Sequence, residues 1–249
     1  MKFYTNITRW GNHLLLREVI NGERINQRIK YSPTLYCLVN KPTEYKTLDG
    51  KYATPVKHDT MKEANEWIDN YQSDLVFGSN TYQYNYLADQ YPNRVEWDME
   101  KLLIVTIDIE VQCENGFPDP EKALEELLSI TIKNHQTKEI VVWGIGDFKS
   151  NRSDVHYVSC ENELHLIKEF LVFWERNHPD VITGWNTEFF DIPYLCNRIK
   201  NRCDEDEIRR LSPWRSVSSR TVFKMGRNHQ LYDIQGVAHL DYFDLYRKF

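Results

Sequence analysis

The ten-residue run Leu102-Leu103-Ile104-Val105-Thr106-Ile107-Asp108-Ile109-Glu110-Val111 carries only two charges, and both are carboxylates. Its β-branched, apolar composition predicts a strand buried in a core sheet. A strand alternates its faces, so Asp108 and Glu110 project to the same side. Two carboxylates there would repel each other, and each costs several kcal/mol if desolvated and unpaired. A divalent cation relieves both problems. About eighty residues on, a second apolar run, Val181-Ile182-Thr183-Gly184-Trp185, leads into Asn186-Thr187-Glu188-Phe189-Phe190-Asp191. This places another carboxylate where a strand gives way to a helix, where it could complete a metal cluster.

The tripeptide Asp-x-Glu is not distinctive by itself. It recurs at Asp98-Met99-Glu100 and Asp119-Pro120-Glu121, in polar or proline-containing contexts that read as loop or helix start. Strand context and a matched downstream Asp separate Asp108 and Glu110 from these copies. Taken alone, the pair also fits a strand end with its charges in water, and Asp191 before Ile-Pro also fits a helix N-cap.

A length of 249 residues allows one large or two ordinary domains. High aromatic content (15 Tyr, 11 Phe, 7 Trp) marks a globular chain. No run approaches membrane-spanning length, and the N-terminus lacks an apolar signal region. Cys37, Cys113, Cys160, Cys196 and Cys203 form no Cys-x-x-Cys and read as thiols of a reducing cytosol. The net charge of −6 excludes a general nucleic-acid coat but not a nuclease. Residues 195–249 nevertheless carry 11 Lys/Arg against 7 Asp/Glu, as basic elements beside an acidic cleft would.

Residues 1–101 read as a smaller mixed α/β domain. Strands are expected at Leu14–Val19 and Leu35–Val39, with turns at Asn21-Gly22 and Asp49-Gly50. Thr60–Gln72 is predicted as its one clear helix, with Thr60 as N-cap, Glu63 at the capping-box position, and Met61, Ala64, Ile68 and Tyr71 on one face. The aromatic, polar stretch Tyr82–Trp97 reads as the linker to residues 102–249. There an α/β pattern (α+β in its mixed sheet) follows, with strands at Ile130–Ile132, Glu139–Trp143 and Val181–Trp185. A helix is expected over Glu161–Asn177 with Leu164, Ile167, Leu171 and Trp174 as its stripe. Another opens at Asp191 with Pro193 in its first turn. Pairs Glu205–Arg209 and Asp206–Arg210 mark a solvated helix, and Val222–Ile234 a hairpin with its tip at Gly226-Arg227-Asn228.

Two blocks tie the chain to a known family. Ile182-Thr183-Gly184-Trp185-Asn186 with Phe190-Asp191-Ile192-Pro193-Tyr194-Leu195 and Arg198 resembles the second exonuclease motif of the replicative family B DNA polymerases, and Asp108-Ile109-Glu110 resembles the first. Tyr86-Leu87-Ala88-Asp89, Arg210-Leu211-Ser212-Pro213 and Leu240-Asp241-Tyr242-Phe243-Asp244-Leu245-Tyr246 extend the resemblance to the enzymes of T-even-like bacteriophages. It implies an N-terminal polymerase domain followed by a ribonuclease-H-like 3′–5′ proofreading exonuclease. It also implies two ions, Mg2+ or Mn2+, with Asp108 bridging both, Glu110 on the one carrying the nucleophile, and Asp191 on the other. Two metals about 4 Å apart clamp attacking and leaving oxygens, and hard oxygen ligands suit these ions. By the same resemblance Asn186, Phe117, Phe190 and Met225 contact substrate, Phe117 by stacking on a frayed primer end, and the hairpin from Met225 to His229 helps part primer from template. The implied partners are a single-stranded DNA 3′ end, primer–template DNA and a downstream polymerase portion, in the host cytoplasm. RNA is a further candidate ligand for the first domain, and no membrane is involved.

The family's third exonuclease motif, Tyr-x-x-x-Asp, is found only as Tyr45 to Asp49, ahead of the first motif and in a turn. His239 and Asp244 have the spacing of a related nuclease branch but fall in a stretch that aligns with a non-catalytic segment. The palm motifs of nucleotide addition are absent. The expectation is the amino-terminal part of a polymerase whose fourth carboxylate lies past Phe249, weak or inactive alone as an exonuclease. A non-catalytic nucleic-acid-binding or assembly subunit and a free-standing exonuclease are the alternatives.

Overall fold

The computed structural model describes residues 1–71, 75–114, 116–224 and 226–248, and the chain divides into two compact units, Met1–Trp97 and Asp98–Phe249. In the first, β1 (Lys2–Trp10), β2 (His13–Ile20) and β3 (Glu23–Lys30) form an antiparallel meander. Asn21 and Gly22 close β2 on β3, both at positive φ, as a two-residue hairpin turn requires. A second sheet joins β4 (Thr34–Leu38), β5 (Tyr45–Lys46), β6 (Tyr52–Lys57) and β7 (Val76–Phe77) in the order β5-β6-β4-β7.

Helix α1 (Met61–Asn70) starts at its expected cap: Thr60 accepts the Glu63 N–H, while Glu63 reaches back one residue beyond the cap, to the Asp59 N–H. It buries Met61 and Ala64 and ends at Asn70, with Tyr71 exposed; the expected end, Gln72, lies outside the described residues. Tyr82–Gln90, expected as part of a linker, is instead helix α2. Tyr82 is fully buried with its hydroxyl on Asn65 Oδ1 (2.6 Å), Tyr86 packs against the same cluster, and Leu87 is buried as well. Aromatic rings at helical spacing supply the burial that this polar sequence conceals.

The second unit is built on a mixed sheet in the order β11-β10-β9-β8-β12-β15. Its strands are β8 (Ile104–Val111), β9 (Leu127–Asn134), β10 (Ile140–Ile145), β11 (Val155–Cys160), β12 (Val181–Gly184) and β15 (Ala238–Asp241). Strand β9 is antiparallel to β8 and β10; β11 runs parallel to β10, and β12 lies parallel to both β8 and β15. Val105, Ile107 and Ile109 enter the core, where they meet helices α3 (Glu163–Arg176) and α4 (Asp191–Arg202). The stripe of α3 centres on Leu166, Ile167, Phe170, Leu171 and Trp174, with Leu164 only half-buried. Glu163, buried, binds α3 to α4: it accepts from Arg198 (2.5 and 2.7 Å), Arg202 (2.9 Å) and the Leu127 N–H (2.8 Å). A buried ion pair survives only with such complete hydrogen bonding.

Beyond α4, Glu205–Leu211 is a 3-10 helix, and its charge pairs are therefore Asp206–Arg209 and Glu207–Arg210, three apart rather than the expected four. The hairpin is longer than expected, with β13 (Val217–Lys224) pairing β14 (Arg227–Ile234), and α5 (Tyr242–Lys248) follows β15. No described helix is long and apolar enough to cross a membrane.

Candidate active-site cleft

Strand β12 pairs β8 only as far as Thr183 opposite Thr106 and stops at Gly184. The N–H of Ile109 thus extends past its neighbour, and Asp191 Oδ1 accepts it at 3.1 Å. Asp191 is the first residue of α4, and Phe190 holds the cap position without a side-chain bond. The carboxylate therefore ties its helix to the strand carrying Asp108 instead of capping its own helix. Gly184 permits the approach, because a Cβ there would lie 2.8 Å from the Ile107 carbonyl oxygen.

The turn from β12 to α4 runs through Asn186 at φ +61°, a conformation Asn tolerates better than most residues. Asp241 organises this turn, accepting the N–H groups of Asn186 (2.9 Å) and Glu188 (2.9 Å) and, as the start of α5, that of Phe243 (2.8 Å). Thr187 Oγ1 hydrogen-bonds His239 Nε2 at 2.8 Å. Neither Asp241 nor His239 emerges as an organiser from motif spacing. An Asp directly before a helical segment was the signal that could have found the first.

These elements enclose a cleft of about 930 Å³. Asp108, Ile109 and Asp191 form its floor. One wall runs from Phe117 to Glu121, a second is Trp185, Asn186, Phe189 and Phe190, and a third is Arg227 to His229. Phe117 is 80% exposed and packs its ring against Phe190, centroids 4.8 Å apart. The cleft thus gathers Asp108, Asp191, Asn186, Phe117 and Phe190. Glu110 shares the exposed face of β8 with Asp108 but does not line the cleft. Met225 lies outside the described residues. Among those described, no three His, Cys, Asp or Glu side chains converge into a preformed metal cage.

Partial desolvation at the cleft floor pushes the Asp108 carboxyl above its ordinary value, although the residue is exposed. Burial pushes Asp191 to about 7, opposed by the Ile109 N–H and reinforced by the charge of Asp108 and, further down, of Asp241. No basic side chain pairs with either carboxylate among the described residues. Two hard oxygen donors face one cleft, each disfavoured as an anion, and a divalent cation would stabilise both. The donor set therefore fits Mg2+ or Mn2+.

His239 and Asp244 are otherwise engaged. Burial lowers the His239 pKa, and Asp244 pairs with Lys224 at 2.8 Å, which holds its carboxyl below the usual range.

A model of the family B DNA polymerase exonuclease domain matches residues 68–249. The chain is 30% identical along its whole length to the DNA-directed DNA polymerase of Enterobacteria phage T4, and equally so to that of Escherichia phage RB69. It spans 31% of the length of each. The DNA polymerase delta catalytic subunit of Dictyostelium discoideum is 36% identical over 39% of the chain and 9% of that protein.

Proposed function

Because the chain belongs to the family B DNA polymerases and carries their ribonuclease-H-like exonuclease domain, we propose that its second unit is a proofreading module that hydrolyses nucleotides from a DNA 3′ end. The observation that carries this reading is the Asp191–Ile109 hydrogen bond, which sets Asp191 and Asp108 in one aromatic-walled cleft. Asp108 and Asp191 would hold Mg2+ or Mn2+, with Glu110 joining from the same face of β8. Bound there, the ion supplies charge neutralisation and a more acidic water. Phe117 and Phe190 offer π faces to an unpaired terminal base, a recognition indifferent to sequence. Asn186, whose backbone N–H Asp241 holds, lines the cleft and would contact the strand.

In this reading residues 1–101 are the N-terminal polymerase domain and residues 102–249 the exonuclease domain. The partners are single-stranded and primer–template DNA and a downstream polymerase portion that brings the fourth carboxylate. RNA is a candidate for the N-terminal unit. The host cytoplasm is the site of action.

A 5′-labelled single-stranded oligonucleotide with Mg2+ tests the proposal. Slow shortening by the chain alone, rapid shortening once the downstream portion is added, and loss of both in Asp108→Asn are expected. Cleavage that survives Asp108→Asn would refute it. A second reading, a binding subunit without catalysis, draws on the same aromatic-walled cleft. Metal-independent, salt-sensitive nucleic-acid binding with no cleavage in the assembled protein would select it. The bonds that occupy His239 and Asp244 speak against a free-standing nuclease built on those two residues.

A further inference from the structure

From Pro118 to Glu125 the chain between β8 and β9 pairs with no strand. Its carbonyl groups still need donors, and one face of α4 supplies them. Positions i, i+3, i+4 and i+7 of a helix lie together, and here they are Tyr194, Asn197, Arg198 and Asn201. Tyr194 donates to the Glu125 carbonyl (2.7 Å) and Asn197 to Pro120 (2.9 Å). Arg198 donates to Ala123 and Leu124 (3.0 and 2.7 Å), and Asn201 to Lys122 (2.8 Å). Asn197, buried, does more than hold the loop. Its Oδ1 accepts the hydroxyl of Tyr232 on β14 at 2.5 Å, while a second bridge runs from the Gln230 N–H to Glu121 Oε1 at 3.2 Å. Pro120 and Glu121 belong to one wall of the cleft, and β14 begins in the wall formed by Arg227 to His229.

We propose that α4 is a strut that fixes two walls of the cleft to the helix opened by Asp191, with Asn197 as the positioning residue that couples the Phe117-bearing loop to the β13–β14 hairpin. Loop and hairpin then move as one body, with the Asn197 amide as the link that touches both and Lys200 Nζ on Tyr232 (3.0 Å) and the Gln230–Glu121 bond beside it. The coupling itself stands on geometry. Its consequence for strand binding rests on the exonuclease reading.

Tyr232→Phe tests the coupling, since it keeps the ring in the core and removes only the hydroxyl. Hydrogen exchange followed by mass spectrometry should accelerate in peptides spanning 119–127 and 226–231 together, on the order of tenfold, as loss of the hydroxyl's buried bond to Asn197 and of the part-buried one it accepts from Lys200 implies. Asn197→Ala should produce the same pattern, and the double variant little more than either. Acceleration confined to the hairpin, or fully additive effects, would overturn the strut.

The positioning role is read by anisotropy with a labelled single-stranded oligo-dT in Ca2+. The affinity of Tyr232→Phe should fall about tenfold, while the Mg2+-induced rise in Tm stays at the wild-type value. Equal losses in both would mean general loosening and reject the role. If the wild-type chain binds no strand while the two peptides still accelerate together, the exonuclease reading fails and the strut stands.

Discussion

Asp241 and Asp191 are equally hidden, at 6% and 4% exposure, yet they are treated in opposite ways. Asp241 accepts three backbone N–H groups and joins the Asn186 turn to the start of α5. Asp191 accepts a single strand N–H, faces the charge of Asp108, and is pushed to about 7. A buried carboxylate with a full set of donors stabilises the fold. One left under-supplied beside a second carboxylate costs stability, and that cost is what a cation would recover.

Removing each carboxylate should therefore move stability in opposite directions. Asp241→Ala strands three N–H groups, and urea denaturation should show a loss of about 4 kcal/mol. A loss below 1 kcal/mol would break the contrast. Asp191→Asn should instead stabilise the metal-free chain at pH 8, by about 2–4 kcal/mol, and leave it unchanged at pH 4. The sign follows from linkage: the folded value lies above the unfolded one, so the native chain holds an extra proton between about 4 and 7. Wild-type stability falls as pH rises through that window and levels off above it, whereas the Asn variant should lack this decline.

Mg2+ sharpens the comparison from the other side. At ten times its Kd it should raise stability by about 1.4 kcal/mol at pH 8 and by less at pH 5.5, where protons compete for Asp191. The increment should vanish in Asp191→Asn and survive in Asp244→Asn. Phe117→Ala tests the wall above the two carboxylates. The exposed ring adds little to folding, but single-strand affinity should weaken by about 1 kcal/mol. Asp244→Asn should be the mildest change, about 0.5 kcal/mol, because its pair with Lys224 is partly solvated.

Legibility in the sequence follows the range of the interaction. The parity of Asp108 and Glu110, the Thr60 cap, the Asn21-Gly22 turn and the opening of α4 are local, and the residue pattern announces each. Helix α2 is also local, but its period is carried by tyrosines in a polar background and reads as a linker. Strand β11, with its polar alternation, goes unannounced for a similar reason. Asp241 acts on residues more than fifty positions earlier, and no local pattern discloses such a partner. The early stop of β12 has the same character: it frees the Ile109 N–H, yet nothing near Ile109 signals it. Glu110 is the reverse case. Its face is legible, but its place outside the cleft depends on where the neighbouring walls fall.

The rungs that α4 extends to the β8–β9 loop also constrain how this segment can vary. Each carbonyl contact from Pro120 to Glu125 fixes the distance along the helix, so an inserted residue there would throw the later rungs out of step. Between Val111 and Pro118 no rung exists among the described residues. The register is thus imposed on the loop from Pro120 onward, by the same helix that Asp191 opens.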